Sequence, residues 1–589
     1  MKHSFTLVAM ALLALGSTLL SGCRKDDPLK VVSAENLVVY GKIYTAEDNG
    51  NAFAEAFVVE NGKFVYVGSR DGAQQYIHNN TRIIDHTGKG IVMPGCYESH
   101  AHYLMANAIP LMGGPSLTLD TDPDQFLHEV RAAYRKAKAA GKHNIYGFGW
   151  MYQAFDVVGM PTRQQLDSVC PDIALFVNDA EVHKALANTQ CLKNAGILDA
   201  NGNVLISHIR GGEICMDENG KPTGLLKEQA ASYVRSHGIN FNEILPTSTA
   251  VQALTTTSQM LHKNGFISYM DGWSNIFGPN VFYEAAEQLD RDGRLNMLLG
   301  MAYEFESSTA DVQAEIDKAI KKKKYTKGHI NADYVKLFID GTVESGTGFT
   351  LEPYQATEFG HGMANWEEAE VADITRLANA ANMTMHVHTM GDAAVHRAVN
   401  AFESAGRSQL RNTIVHARNV PPADFQRIAD NNIVTVCGIL WHAMDPVSEI
   451  YLNSIIPENL IGKAYPIKSY FDHGAIMTSH SDYPATSDSP YDPFGIMEIA
   501  VTGSLYDAGQ PTPPFWTEEI ISRQQALQAL TLNGAYQMHV ENERGSIKVG
   551  KYADFILADK DVLQCPVSDI HNTKVLSTWF EGKKVYPLN

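Results

Sequence analysis

Cysteine is scarce in this chain, with seven in 589 residues and none in a C-x-x-C pair. That rules out a dense disulfide framework as the source of its stability. Positive charge is also short. Lys plus Arg number 47 against 66 Asp plus Glu, a formal net charge of −19, so nucleic acid would meet repulsion over most of the surface. Internal repeats, low-complexity tracts and a second long apolar segment are absent, which leaves neither a solenoid nor a multi-span membrane protein to consider. What remains is an ordinary globular composition, 44% hydrophobic and 19% charged. A chain of this length can bury a large core and form more than one domain.

The N-terminus differs from the rest. "MKHSFTLVAMALLALGSTLLSGC" opens with Lys2 and runs apolar from Phe5 to Leu20, too short for a comfortable membrane span and closely followed by small residues, so it reads as a secretory signal. Its end, Leu20-Ser21-Gly22-Cys23, resembles the lipobox of bacterial lipoproteins. The resemblance implies a signal peptide over 1–22, lipidation of Cys23, and an exported protein anchored in a bacterial envelope membrane, with 23–34 as a polar tether. The other six cysteines are expected to be mostly buried thiols, with Cys170–Cys191 or Cys191–Cys215 as candidate bridges.

After the tether, "NLVVYGKIYTAED" and "AFVVENGKFVYVGS" alternate apolar and polar residues around a turn at Asn61-Gly62, and "GSIKVGKYADFILADKD" and "VLSTWFEGKKVYPLN" repeat that style at the far end. Neither end has enough strand to bury a face alone. The expectation is one composite β-sandwich from 35–90 and 540–589. Between them, over 91–539, strand-like and helix-like segments alternate as in an α/β domain with a parallel sheet. "IVMPGCYESH", "GFISYMD", "RLNMLLGMAY", "DYVKLFIDG", "MTMHVHTMGD", "NTIVHARN", "IVTVCGIL" and "AIMTSHSD" make eight strand candidates, the number that closes a (β/α)8 TIM barrel. In "PPADFQRIADNN", Phe425, Ile428 and Ala429 share a helical face. The interval 104–264 is too long for one crossover and reads as an inserted subdomain over the barrel mouth.

His100 and His102, in "IVMPGCYESHAHY", would face one spot from a strand, because side chains at i and i+2 share a side. Two convergent imidazoles are half of a metal site. Side chains at the C-terminal ends of barrel strands converge on one mouth, and the candidate strands end in His100 and His102, Lys336, His388, His416 and Asp482. Six ligand-type groups at one mouth point to a metal centre.

The ordered segments "MPGCYESHAHY", "VKLFIDGT", "HTMGDAAVHRA", "IVHARNV", "SHSDYP" and "NGAYQMHVENERGSIKVGKYADFIL" resemble the signature segments of the amidohydrolase superfamily. Its family 3, the branch that includes N-substituted formamide deformylases, is the best fit. The resemblance runs from about Leu37 to the C terminus. It implies a metal-bearing barrel with a β-sandwich from both chain ends, His100 and His102 on one metal, His388 and His416 on another, and Asp482 on the first as acid/base. Lys336 would bridge the two ions as a carbamate. In the insertion, "EVHKALANTQCLKNAGI" brings His183 and Asn188, and "KPTGLLKEQA" brings Thr223 and Glu228 as pocket candidates.

The implied chemistry is hydrolysis of a C–N bond in a small linear or cyclic amide by metal-activated hydroxide, with His183 able to polarise the carbonyl and Asp482 carrying the proton to the leaving nitrogen. Imidazole and carboxylate ligands suit zinc, and iron, manganese or nickel fit the same groups. Two readings compete: a one-metal, deaminase-like hydrolase of the same superfamily, and a non-catalytic cell-surface binding protein on the same fold. The chain has Glu98 where the family usually has Asp, and "GTVESGTG" where it tends to have an arginine; His386 and His480 stand two residues before His388 and Asp482 and compete with them as ligands.

Overall fold

The computed structural model describes residues 34–588 except 119–120, 152–154, 156–158, 181, 307–310, 444–445, 486–491 and 508–509. The signal segment, Cys23 and nearly all of the tether lie outside the described residues. Among the described residues, no helix is long and apolar enough to cross a membrane.

Eight parallel strands form the central sheet in chain order: Cys96–Ala101, Phe266–Asp271, Leu298–Glu304, Ile330–Phe338, Thr384–Thr389, Thr413–His416, Val434–Cys437 and Ile476–Ser479. Every one overlaps an expected segment, and the fourth begins three residues earlier than expected, at Ile330. They are buried on both faces, which is why they read as continuous apolar runs rather than alternations. The seam between first and eighth strands is closed by side chains and by the chain just beyond them. Ser99 Oγ lies 2.7 Å from Thr478 Oγ1, the Asp482 amide donates to the His100 carbonyl at 3.1 Å, and the His102 amide donates to that of Tyr483 at 2.7 Å. This closure sets His100, His102 and Asp482 side by side.

Helices such as Val281–Arg291, Glu368–Ala380 and Asp392–Ser404 alternate with the strands. The helix Asp424–Asp430 buries Phe425 and Ile428, the face expected from its periodicity.

Both chain ends build one eight-stranded sheet, in which Leu37–Tyr44 pairs with Phe53–Glu60 and Phe555–Ala558 pairs with Val575–Phe580. Its inward side chains meet around Phe57, Phe64, Phe555 and Trp579. Asn61 and Gly62 both have positive φ, 51° and 77°, as a two-residue type I′ hairpin requires. One boundary moves. Ile91–Pro94, read above as the start of the first barrel strand, instead pairs with Lys42-Ile43 and with Phe555–Ala558 in this terminal sheet. The Pro94-Gly95 step splits one apolar run in two, because a Cβ on Gly95 would sit 2.6 Å from Ile267.

The insertion has its own five-stranded sheet, ordered Gly212–Met216, Pro222–Glu228, Lys184–Ala187, Ala174–Asp179, Asn144–Trp150. Its core gathers Phe126, Val130, Trp150, Leu166 and Leu175. The expected limits of 104–264 are too wide. Thr247–Lys263 packs on Phe266–Asp271 and Val281–Arg291 and so belongs to the barrel's outer layer. Neither expected disulfide forms, since all six described cysteines are free. Cys170 and Cys191 are fully buried, and Cys170 instead donates to the Ile173 carbonyl.

Candidate metal centre

The H-x-H of the first strand delivers both imidazoles to the mouth, with Nε2 of His100 and of His102 lying 3.4 and 3.3 Å from Asp482 Oδ1. His100 is completely buried. Its Nδ1 is held by His386 Nε2 at 2.8 Å. His386 therefore supports His100 from one layer deeper in the barrel, which is how the alternation in "HVH" resolves the competition with His388. A Cβ on Gly272 would stand 2.1 to 2.9 Å from the His100 ring atoms. Only glycine lets the ring lie where it does.

His388 is oriented from the other side. Its Nδ1 lies 3.2 Å from Asp340 Oδ1, and Asp340 accepts from the amides of Phe349, Met390 and Gly391. His416 ends the sixth strand with its ring 4.6 Å from that of His388 and 5.3 Å from that of His100. Both His416 and Asp482 hold left-handed backbone, φ 68° and 53°. Such conformations cost on the order of 1–3 kcal/mol and are retained where the surroundings fix them.

Lys336, on the fourth strand, is fully buried, and its Nζ has no hydrogen-bond partner. Burial brings its amine down to about 8, against the opposing pull of Asp482, Glu304 and Asp271. Burial, with positive neighbours such as Lys336 adding to it, also holds His100, His386 and His388 well below the ordinary imidazole value; at His416 burial and then His388 do the same. The shift favours the neutral imidazole, the form in which histidine can bind a metal. Burial opposes the charge of Asp482, yet the His102 imidazole beside it, with His480 and Lys336, keeps its carboxyl below the usual range.

The donor atoms of His100, His416 and Asp482 all lie within 4.8 Å of one another. This grouping crosses the two-plus-two division expected above, since His416 stands with His100 and Asp482. His100 Nε2, His416 Nδ1, Asp482 Oδ1 and Lys336 Nζ are buried without hydrogen-bond partners. Unpaired buried polar atoms are costly. A two-nitrogen, one-oxygen set of this kind fits a borderline divalent transition metal such as zinc.

The insertion contributes a second pair. His183 Nδ1 lies 2.8 Å from Glu228 Oε2, and the His183 ring is 6.2 Å from that of His388. Glu228 has φ 49°. Its carboxylate rests on the "GTVESGTG" turn, where a Cβ on Gly341 would approach Glu228 Oε1 to 2.9 Å. In the chain's own turn, Glu344 lies 3.5 Å from the Arg418 guanidinium. Thr223 is not part of the site. Five residues before Glu228 on one strand, it faces the opposite side of the sheet, and its hydroxyl donates to the Cys215 carbonyl. Asn188 caps the helix Thr189–Asn194 and donates to Cys170 and Ile173 carbonyls, a structural role. Glu98 accepts from the amides of His100 and Ser481, tying the first strand to the Asp482 loop.

Asp340 and Gly272 were not singled out from the sequence. A cue for Asp340 exists in its position four residues after Lys336 in "KLFID", at the same strand's exit. Gly272 follows Asp271 directly but carries no pattern of its own.

A parallel barrel with imidazoles, a lysine and a carboxylate gathered at its C-terminal mouth defines a metal-dependent hydrolase scaffold. The match to the amidohydrolase family model spans residues 82–586, and the chain belongs to the amidohydrolase family. It is 25% identical to a protein named LONG AFTER FAR-RED 3 from Arabidopsis thaliana, over 99% of this chain and 97% of that one. To the N-substituted formamide deformylase of Arthrobacter pascens it is 26% identical, over 91% and 95%. Its fold is similar to that of an uncharacterized metal-dependent hydrolase from Pyrococcus furiosus, with a TM-score of 0.65 at 22% identity, covering 90% of this chain and all of the other.

Proposed function

We propose that the protein hydrolyses the C–N bond of a small linear or cyclic amide at the barrel mouth. The observation that carries this reading is the convergence of His100, His416 and Asp482 with the buried, unpartnered amine of Lys336. A divalent ion held there, with zinc the best match to the ligands, would supply Lewis acidity and bring the pKa of a water towards roughly 7. Asp482, held ionised, accepts the proton of the attacking water and returns it to the departing nitrogen. His183, steadied by Glu228, faces His388 across the mouth and donates to the carbonyl oxygen as negative charge develops there. Lys336, if its neutral amine added CO2 with loss of a proton, would become an anionic oxygen ligand able to hold a second ion together with His388. The formamide deformylase relative makes N-formyl amides the first substrates to try.

A one-metal, deaminase-like site is the second reading. It is favoured by the fact that, among the described residues, only one three-residue group has its donor atoms within 4.8 Å.

The experiment is elemental analysis by plasma mass spectrometry on purified protein, with Asp482→Asn and Lys336→Ala beside it, followed by a screen of N-formyl and N-acyl amides. About two ions per chain, falling sharply in Lys336→Ala, with turnover down at least about a hundredfold in Asp482→Asn, supports the bridged hydrolase. One ion per chain, unchanged in Lys336→Ala, selects the second reading. Protein that neither carries metal nor takes up zinc refutes both and leaves the binding-protein alternative. We further propose export and lipid anchoring through Cys23, supported by the Leu20-Ser21-Gly22-Cys23 motif; Cys23→Ser should then move the protein from the membrane to the soluble fraction.

A further inference from the structure

The helix Gln229–Gly238, which follows directly on Glu228, sets Arg235 against the indole of Trp273, its Cζ 4.4 Å from the ring centroid. Trp273 stands two residues past the second barrel strand, and its far neighbours are His102 and Phe338. Arg235 is 2% exposed. A guanidinium cannot shed its proton at ordinary pH, so a buried one needs hydrogen-bonding partners and countercharge. Here Nη2 has one long contact, 3.5 Å to Ser232 Oγ, while Nε and Nη1 have no partner. Among the described residues, no carboxylate forms an ion pair with it.

Two carboxylates nearby are incomplete in the opposite sense. Glu304, at the end of the third barrel strand, accepts from Trp273 Nε1 at 2.6 Å through Oε2, and its Oε1 is buried and unpartnered. Glu306 Oε1 is likewise buried without a hydrogen bond, lying 3.8 Å from His237 Nδ1. Arg235, Glu304 and Glu306 line one cavity of about 290 Å3, and none of its lining residues is a ligand candidate for the metal. Of the other lining residues, Glu315 and Lys318 already pair with each other at 2.5 Å. Phe241 and Ile276 add apolar wall.

We propose that this cavity binds a free α-amino acid, its carboxylate on Arg235 and its ammonium on Glu304 and Glu306. A guanidinium and two carboxylates that line one small space, each with buried atoms left unpaired, call for a ligand carrying both charges on a single carbon. A simple anion would satisfy Arg235 but meet two carboxylates, and a simple amine would leave the guanidinium buried and unpaired. The apolar wall suits an aliphatic side chain, so L-leucine is the first probe.

The test is calorimetric titration of L-leucine into the full-length, metal-loaded protein, repeated after chelation, beside 4-methylpentanoic acid and isoamylamine, which each lack one charge. One site per chain is expected, surviving chelation. Each analogue should bind at least about tenfold more weakly, and so should L-leucine itself to Arg235→Met or Glu306→Gln, the loss of one charge-assisted hydrogen bond. If Arg235→Met fails to fold, Glu306→Gln and the two analogues decide alone. The proposal is overturned if L-leucine, L-alanine and L-glutamine all give no heat up to about 10 mM. It is equally overturned if binding disappears with the metal, or if both analogues bind as well as L-leucine.

Discussion

Replacing Gly272 by alanine places a methyl carbon 2.1 Å from His100 Cε1 and 2.5 Å from its Nδ1. Ordinary contact begins near 3.4 Å, so the ring or the backbone must give by about 1.3 Å. The ring cannot swing freely, because it is completely buried and its Nδ1 is fixed at 2.8 Å to His386, itself buried. A displacement of that size at a ligand takes Nε2 away from the point it shares with Asp482 and His416. Misplacement by about 1 Å typically costs about a hundredfold in rate, and an overpacked core about 1–3 kcal/mol. Gly272→Ala should therefore fold with a moderately lowered melting temperature, lose most of its zinc affinity in chelator competition, and turn over amide at least about a hundredfold more slowly. The assay pairs plasma mass spectrometry with a thermal melt. A variant that keeps wild-type zinc affinity while melting within about 2 °C of the parent would refute the placement of His100 as a ligand. It would mean that the ring relaxes without consequence for the metal.

The insertion's contribution is tested by a contrast: Glu228→Gln should lower turnover by about tenfold or more by loosening His183, whereas Thr223→Val, on the opposite face of the same strand, should leave turnover within about twofold. Equal effects of the two in steady-state kinetics would remove His183 and Glu228 from the reaction. A pH-dependent contact joins barrel and terminal sheet at His329, which lies 2.9 Å from Asp290 and 3.2 Å from Glu581. Burial opposes its charge, but these two carboxylates outweigh it and raise the imidazole to about 9. A raised folded pKa means that its stabilisation is complete below the unfolded value near 6.5 and is lost as pH climbs through about 9. His329→Gln should cost on the order of 2–3 kcal/mol at pH 6 and nearly nothing at pH 10, read as the melting-temperature gap from wild type at each pH. A gap that is flat with pH would contradict the assignment.

The eight barrel strands were legible because parallel strands covered on both faces must be apolar almost throughout, so each ligand residue marks the end of an apolar run. His388 and His416 stand out in "MTMHVHT" and "NTIVHARN" for that reason. What could not be read lies in contacts between distant segments. "IVMPGCYESH" is one apolar run on paper, yet its halves belong to different sheets, since Gly95 is needed for close approach to Ile267, about 170 residues later in the chain. Thr223 was misplaced although strand parity sets it opposite Glu228, because its strand was not recognised as a strand. The grouping of His416 with His100 and Asp482 was not legible either. It depends on seam closure, in which the Asp482 amide donates to the His100 carbonyl and brings the first and eighth strands together beside His416.

These contacts separate two kinds of constraint on the site. The ligands are held from within the barrel: His100 by His386, His388 by Asp340, and the Asp482 loop by Glu98. None of those supports comes from the insertion. His183 and Glu228, by contrast, reach the mouth only through the insertion's sheet, at a strained Glu228 and against the "GTVESGTG" turn. Changes in the insertion can therefore alter what is bound without disturbing the metal, and the turn that departs from the family pattern is the one that receives Glu228. On the proposed function, the contact between the insertion and that turn is therefore where substitutions should change which amide is accepted.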